Sequence, residues 1–182
     1  MCRVTVVRIV PTEELGADEV RILRELFDAA WEREPEDFQD EDWEHAVGGL
    51  HVVLEEDDAI VAHAAVVERE LHTGGHELAT GYVEAVATHQ AHRRRGHGSA
   101  VVREVVAYID RTFQVRALGG DPAFYVPRGW SVWEGPTFVR TEAGLVRTPE
   151  EDGSVLVRRT PTTPPIDLAA PISCDWRPGE VW

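Results

Sequence analysis

The segment Arg93-Arg94-Arg95-Gly96-His97-Gly98-Ser99-Ala100 constrains this chain more than any other. It follows a strand-like apolar run, Leu78–Thr88, and opens a helix whose apolar face is Val102, Val105, Val106 and Ile109. Glycines at 96 and 98 let the backbone turn tightly and expose successive N–H groups. At a helix N-terminus such donors form an anion site suited to a nucleotide pyrophosphate, and Arg93, Arg94, Arg95 and His97 add positive charge. The spacing Arg-x-x-Gly-x-Gly is not a P-loop, because no Gly-Lys-Ser/Thr follows. It is not the dinucleotide fingerprint either, because the strand before it comes late and no acid stands at the ribose position. Taken alone, the segment also fits a basic turn that caps a helix.

The rest of the chain says what kind of domain surrounds this loop. A length of 182 residues suits a single domain, and 43% hydrophobic with 28% charged residues is ordinary for a globular one. No stretch approaches the roughly 20 apolar residues of a bilayer span, and Cys2-Arg3-Val4-Thr5-Val6 alternates like a strand rather than a signal peptide. Cys2 and Cys174 fit two reduced thiols, so a cytoplasmic protein without membrane attachment is expected, with a disulfide as the alternative. The net charge of −15, from 33 acids against 18 Lys+Arg, repels nucleic acid and favours a cationic partner.

Periodicity gives the order of elements. A strand over 3–10 precedes a helix over Ala17–Trp31, with Leu23, Leu26, Phe27, Ala30 and Trp31 at helical spacing. Residues 32–44 carry eight acids and one arginine, Asp40 reads as a helix N-cap, and Gly48-Gly49 as the stop. Strands over Leu50–Leu54 and Ile60–Val67 flank a turn at Glu55-Glu56-Asp57-Asp58, and Thr73-Gly74-Gly75-His76 turns the chain again before Leu78–Thr88. After the loop and helix come a strand at Val115–Leu118, a short helix at Pro122–Pro127, and short strands near Ser131–Trp133, Phe138–Arg140 and Val155–Val157. The tail from Thr160 is Pro-rich and irregular, yet Ile166, Leu168, Trp176 and Trp182 require it to pack back on the domain. Strands first, then a strand–loop–helix crossover, predict a mixed α/β (α+β) fold with a mostly antiparallel central sheet flanked by helices.

Two side chains stand out chemically. Glu84 is a carboxylate in the middle of an apolar strand, on one face with Tyr82, Val86 and Thr88 by period 2. It is either a structural acid with an Arg or backbone partner, or a base that removes an ammonium proton, its pKa raised by burial. Tyr125 is either a core ring beside Phe124 or a proton donor. Donated in full to a thiolate, for example, its proton would move uphill by roughly 2 kcal/mol, from phenol and thiol pKa values of about 10 and about 8.5. The eight histidines form no zinc-like pair with cysteines, so no metal is expected. Neither cysteine has a nucleophile's setting, which argues against a covalent cysteine intermediate in any group transfer and favours direct transfer.

The sequence strand–loop–helix–strand, closed by Phe124-Tyr125-x-x-x-Gly129-Trp130, resembles the GNAT acetyltransferase superfamily. More specific stretches resemble its aminoglycoside 2′-N-acetyltransferase branch, over nearly the whole chain. They include Asp42-Trp43-Glu44-His45, His63-Ala64-Ala65-Val66, Gly81-Tyr82-Val83-Glu84, Arg147-Thr148-Pro149 and Cys174-Asp175-Trp176-Arg177 closing on Val181-Trp182. The resemblance implies acetyl-CoA as cosubstrate, its pyrophosphate on the loop from Arg93 to Ser99 and its pantetheine and thioester on backbone amides around Val86 and Thr88. It implies an acid-lined cleft in which Asp37, Asp42, Glu84, Glu151, Glu180 and the Trp182 carboxylate meet the ammonium groups of an aminoglycoside, and it implies a homodimer. Two departures stand in the sequence: Glu151 and Glu180 replace expected aspartates, and Gly119-Gly120-Asp121-Pro122 is shorter than the serine-containing segment expected there. Competing readings are the same fold acting on another polyamine or on a cell-wall or thiol-precursor amine, and a non-catalytic protein that sequesters acetyl-CoA or drug.

Overall fold

The computed structural model describes residues 4–30 and 40–182, and of Glu41 and Asp42 the backbone alone. The chain gathers into two compact units, Met1–Val67 with Val83–Ala107 and Glu68–Tyr82 with Tyr108–Trp182. Strands β3 (Ala59–Thr73) and β4 (His76–Thr88) and helix α3 (His97–Thr112) each contribute residues to both.

In the first unit, β1 (Thr5–Pro11) pairs antiparallel with β2 (Leu50–Glu56), and β2 pairs antiparallel with β3. The hairpin turns on Asp57 and Asp58, at φ 52° and 65°. Two successive left-handed residues match the twist of antiparallel strands, and aspartate enters that region more readily than most side chains. The four-residue turn expected from the sequence is therefore two residues long. Glu55 and Glu56 remain in β2, across a register shift that follows Leu54. Helix α1 (Ala17–Ala30) places Leu23, Leu26, Phe27 and Ala30 on one face, and they bury against Trp43, Val53 and Ala87. Each large side chain removed from water in this way contributes roughly 1.5–3 kcal/mol. Helix α2 (Asp40–Ala46) begins at Asp40 itself, whose carboxylate pairs with Arg24 of α1. Gly48, at φ 90°, follows its end.

In the second unit the strand order is β6-β9-β5-β4-β3-β10-β7-β8. Here β5 (Val115–Gly119) lies parallel to β4, a pairing that the crossover through α3 allows, and antiparallel to β9 (Val155–Arg159). The two-residue β6 (Ser131–Val132) pairs with β9, and β7 (Thr137–Thr141) pairs antiparallel with β8 (Gly144–Arg147). The tail is not irregular throughout. Its residues Ile172–Asp175 form β10, which pairs antiparallel with β3 and parallel with β7. Trp133 is fully buried and donates from its indole to the Ala170 carbonyl at 2.8 Å, which pins the tail ahead of β10. Among the described residues no helix is long and apolar enough to cross a membrane.

Candidate active site

The basic loop is shaped by two left-handed residues, Arg94 at φ 61° and Gly96 at φ 87°. The Gly96 carbonyl accepts from Ala100 N at 2.9 Å, so Gly96 caps α3. The first turn of a helix presents N–H groups that have no carbonyl one turn earlier, and this is the anion-binding end. Gly98 lies inside that turn in helical conformation. The φ freedom that the sequence argument gave to both glycines belongs to Gly96 alone; Gly98 contributes the lack of a side chain.

Several of the loop's basic side chains have partners within the same unit. Arg93 donates to the Ala30 carbonyl at the end of α1. Arg95 Nη1 lies 3.0 Å and His92 Nδ1 2.7 Å from Glu56 Oε2, and His97 Nε2 lies 3.7 Å from the other Glu56 oxygen. Glu56 is only 6% exposed. It was not singled out in the sequence, where it stands among acids that read as a polar turn. Its extra strand position beyond Leu54 is what places its carboxylate beneath the loop.

At the C-terminal part of β4, Glu84, Val86 and Thr88 are half-buried, and Ala85 adopts φ 48°. A left-handed alanine within a strand interrupts the plain alternation from which the sequence sets Tyr82, Glu84, Val86 and Thr88 on one face. Ala87 belongs to the α1 core, and Ala85 packs against it.

The second unit holds the other candidates. Helix α4 (Pro122–Tyr125) continues into a 3-10 turn at Val126–Arg128, and the Asp121 carboxylate caps it by accepting from Ala123 N at 2.8 Å. Tyr125 is 8% exposed and packs edge-on against Phe124 and Trp130, at 4.8 and 5.8 Å between ring centres. Burial pushes its phenol up to about 12. Against a thiol near 8.5, the full proton transfer becomes uphill by roughly 5 kcal/mol rather than 2. A phenol held this way keeps its proton and serves as a hydrogen-bond donor rather than as an acid. The glycines at 119 and 120 have a steric reason. A Cβ on Gly120 would stand 2.9 Å from Tyr125 Cε2, and one on Gly119 would stand 3.3 Å from Trp182 O.

Trp182 is 5% exposed. Glu151, in a 3-10 turn over Pro149–Glu151, accepts from Ser154 Oγ at 2.8 Å, and Glu180 is exposed. Asp37 lies outside the described residues, as does the side chain of Asp42. Cys174 is fully buried, 3.6 Å from the Val181 carbonyl, and burial raises its thiol pKa, the opposite of what activates a nucleophile.

Residues 12–133 match the family model described as an acetyltransferase (GNAT) domain. Over 180 residues the chain is 39% identical to an aminoglycoside 2′-N-acetyltransferase from Mycolicibacterium fortuitum, covering 96% of this chain and 91% of that one. Among solved structures it is similar to a GNAT family N-acetyltransferase (YhbS) from Escherichia coli in complex with CoA, with TM-score 0.62 and 16% identity over 93% of this chain and 89% of that one. It is also similar to a GNAT family acetyltransferase from Brucella melitensis in complex with acetyl-CoA, with TM-score 0.59 and 19% identity over 89% and 94%. At such identities the likeness is one of fold, and it bears out the mixed α+β architecture expected from the sequence. The chain spans about a third of some larger solved structures that it also matches (33% of one from Enterococcus faecalis).

Proposed function

Because the chain belongs to the aminoglycoside 2′-N-acetyltransferase family of the GNAT acetyltransferases, we propose that it transfers the acetyl group of acetyl-CoA directly to the 2′-amine of an aminoglycoside. The observation that carries the cosubstrate is the Gly96-capped start of α3, with Gly98 in its first turn and no side chain there to bar a pyrophosphate. Arg93, Arg94, Arg95, His97 and Ser99 belong to the same loop. The positive charge of the three arginines and the first-turn amides suit the phosphates of acetyl-CoA, which supplies the activated acetyl thioester.

Three chemical needs follow. The amine must lose a proton before it attacks, and Glu84 is the base, directly or through water. The thioester oxygen gains negative charge as the C–N bond forms, and backbone amides at Val86 and Thr88 are the donors that stabilise it. The C–S bond then breaks, and the Tyr125 hydroxyl donates to the departing thiolate, a bond that strengthens as charge builds on sulfur. A buried thiol at Cys174 favours this direct route over an acyl-enzyme.

The substrate half rests on the curated relative and on charge. An aminoglycoside presents several ammonium groups and little apolar surface, so carboxylates hold it where apolar walls cannot. Asp37, Asp42, Glu84, Glu151, Glu180 and the Trp182 carboxylate are the groups for that task, in a chain of net charge −15. The deciding experiment incubates the protein with acetyl-CoA and a panel of aminoglycosides with and without a 2′-amine, and follows release of the CoA thiol. Turnover confined to members with a 2′-amine is expected. Turnover on those that lack it, or on a simple polyamine alone, would overturn the substrate assignment while leaving acetyl transfer in place.

A further inference from the structure

A directed chain of hydrogen bonds crosses the first unit and ends beside Glu84. Gly48 N donates to Thr12 Oγ1 at 3.0 Å, Thr12 Oγ1 lies 2.8 Å from His51 Nε2, His51 Nδ1 lies 2.9 Å from His63 Nε2, and His63 Nδ1 lies 2.8 Å from the Ala85 carbonyl oxygen. Both imidazoles are fully buried. Burial pushes His51 down to about 4 and His63 down to about 3, the latter further disfavoured as a cation by His51, so both are neutral at pH 7.

Neutral imidazole has one donor nitrogen and one acceptor, which settles every direction in the chain. A carbonyl can only accept, so His63 carries its proton on Nδ1. Its Nε2 therefore accepts, which places the His51 proton on Nδ1 as well. His51 Nε2 then accepts from the Thr12 hydroxyl at 2.8 Å; the Gly49 carbonyl, 3.2 Å from the same hydroxyl, already accepts from Thr12 N at 3.0 Å. Every donor points the same way, toward the carbonyl of Ala85.

That carbonyl belongs to the residue at φ 48° in β4. A left-handed alanine is disfavoured and persists only where its surroundings hold it. The rings that do the holding have little room to turn: Phe27 meets His63 edge-on at 5.2 Å between ring centres, and Trp43 lies 5.7 Å from His51. Apolar residues could fill this space, but they could not grip the Ala85 carbonyl.

We propose that His63, backed by His51 and Thr12, is a positioning residue for acetyl transfer, its donation to the Ala85 carbonyl fixing the left-handed turn that orients Glu84 before it and the Val86 amide after it. The inference rests on the reading of Glu84 as base and of the Val86 amide as a thioester donor.

Two substitutions at one position separate positioning from mere packing. The amide nitrogen of asparagine falls where His63 Nδ1 stands and can still donate to Ala85; the longer glutamine reaches the place of Nε2 and can accept from His51, but loses Ala85. His63→Asn is expected to keep kcat within about threefold of wild type. His63→Gln is expected to lose about 30- to 100-fold in kcat, the range for a small misplacement of reacting groups. The acetyl-CoA KM should stay within about threefold in both. Equal losses in the two variants, or wild-type kcat in His63→Gln, overturn the proposal. Glu84 is intact in both, so that failure is distinct from failure of the base assignment, which Glu84→Gln tests by itself. Should neither variant fold, 15N imidazole spectra of the wild-type protein decide: both rings as Nδ1–H tautomers support the chain, and an Nε2–H tautomer at either overturns it.

Discussion

The buried indole of Trp182 donates to the hydroxyl of Thr148 at 3.2 Å. Thr148 donates in turn to Thr137 Oγ1 at 2.9 Å, and the Thr137 amide donates to Asp152 at 3.1 Å. The last residues of the chain and the turn that carries Glu151 are thus tied to the same strand, β7.

Deleting Glu180–Trp182 removes a buried anchor and two proposed ammonium ligands together. The aminoglycoside KM should rise about tenfold, or about 1.4 kcal/mol, with the acetyl-CoA KM within about twofold. Trp182→Phe keeps the bulk and loses only the indole N–H, so it should lower stability by about 1 kcal/mol with a smaller effect on KM. Steady-state kinetics of the truncated protein with an unchanged aminoglycoside KM would remove the tail from the substrate site.

Asp152 links this knot to pH. Arg147 beside it, together with donors from Thr137, holds its carboxyl down at about 2, below the ordinary 3.8. A depressed folded-state pKa contributes stability in full above the unfolded value and loses it as pH falls through the folded one. Thermal unfolding of the wild type should therefore weaken between about pH 4 and pH 2, and Asp152→Asn should lower Tm at pH 7 and flatten that part of the acid slope. Parallel pH curves for the two proteins would contradict the assignment.

Gly98 gives a test in which stability and binding move in opposite directions. It sits in the first turn of α3 in helical conformation, where alanine is favoured over glycine by up to about 1 kcal/mol. Gly98→Ala should raise Tm slightly while raising the acetyl-CoA KM severalfold, and Gly98→Leu should raise that KM further. Calorimetry that finds acetyl-CoA affinity unaltered in Gly98→Leu would show that the loop does not carry the pyrophosphate.

The acid and base separate by kinetic signature. Glu84→Gln should lower kcat and flatten the acidic limb of the pH–rate profile. Tyr125→Phe should lower kcat by about 10- to 100-fold at nearly constant KM, as loss of a donor used mainly in the transition state requires. With its phenol near 12, Tyr125 should set no alkaline limb at ordinary assay pH. A limb near pH 9 to 10 that vanishes in Tyr125→Phe would mean a far more acidic phenol than its burial implies.

The proposed carboxylate cleft makes binding sensitive to salt. Raising ionic strength from about 0.05 to 0.5 M shortens the screening distance about threefold, and the aminoglycoside KM should climb accordingly while Glu151→Gln reduces the slope. A KM indifferent to salt would count against cation recognition by carboxylates.

Local chemistry was legible in the sequence wherever neighbours along the chain settle the outcome. The spacing of Leu23, Leu26, Phe27 and Ala30 specifies α1, and the glycine at 96 specifies the capped loop before α3. The proposed recognition of a cation was legible only as a charge balance and a resemblance. Tertiary structure decided the rest. Residues Ile172–Asp175 become β10 because β3 and β7 offer them backbone partners, and nothing within the four residues themselves signals a strand. Glu56 leaves the expected turn because a register shift carries β2 past Leu54, where His92 and Arg95 meet its carboxylate. The tie from Trp182 to Thr148 spans 34 positions, and that from His63 to Ala85 spans 22. Periodicity reports which face of an element is apolar. It carries no information about which distant donor will find which carbonyl, because that pairing exists only once the strands have been set side by side.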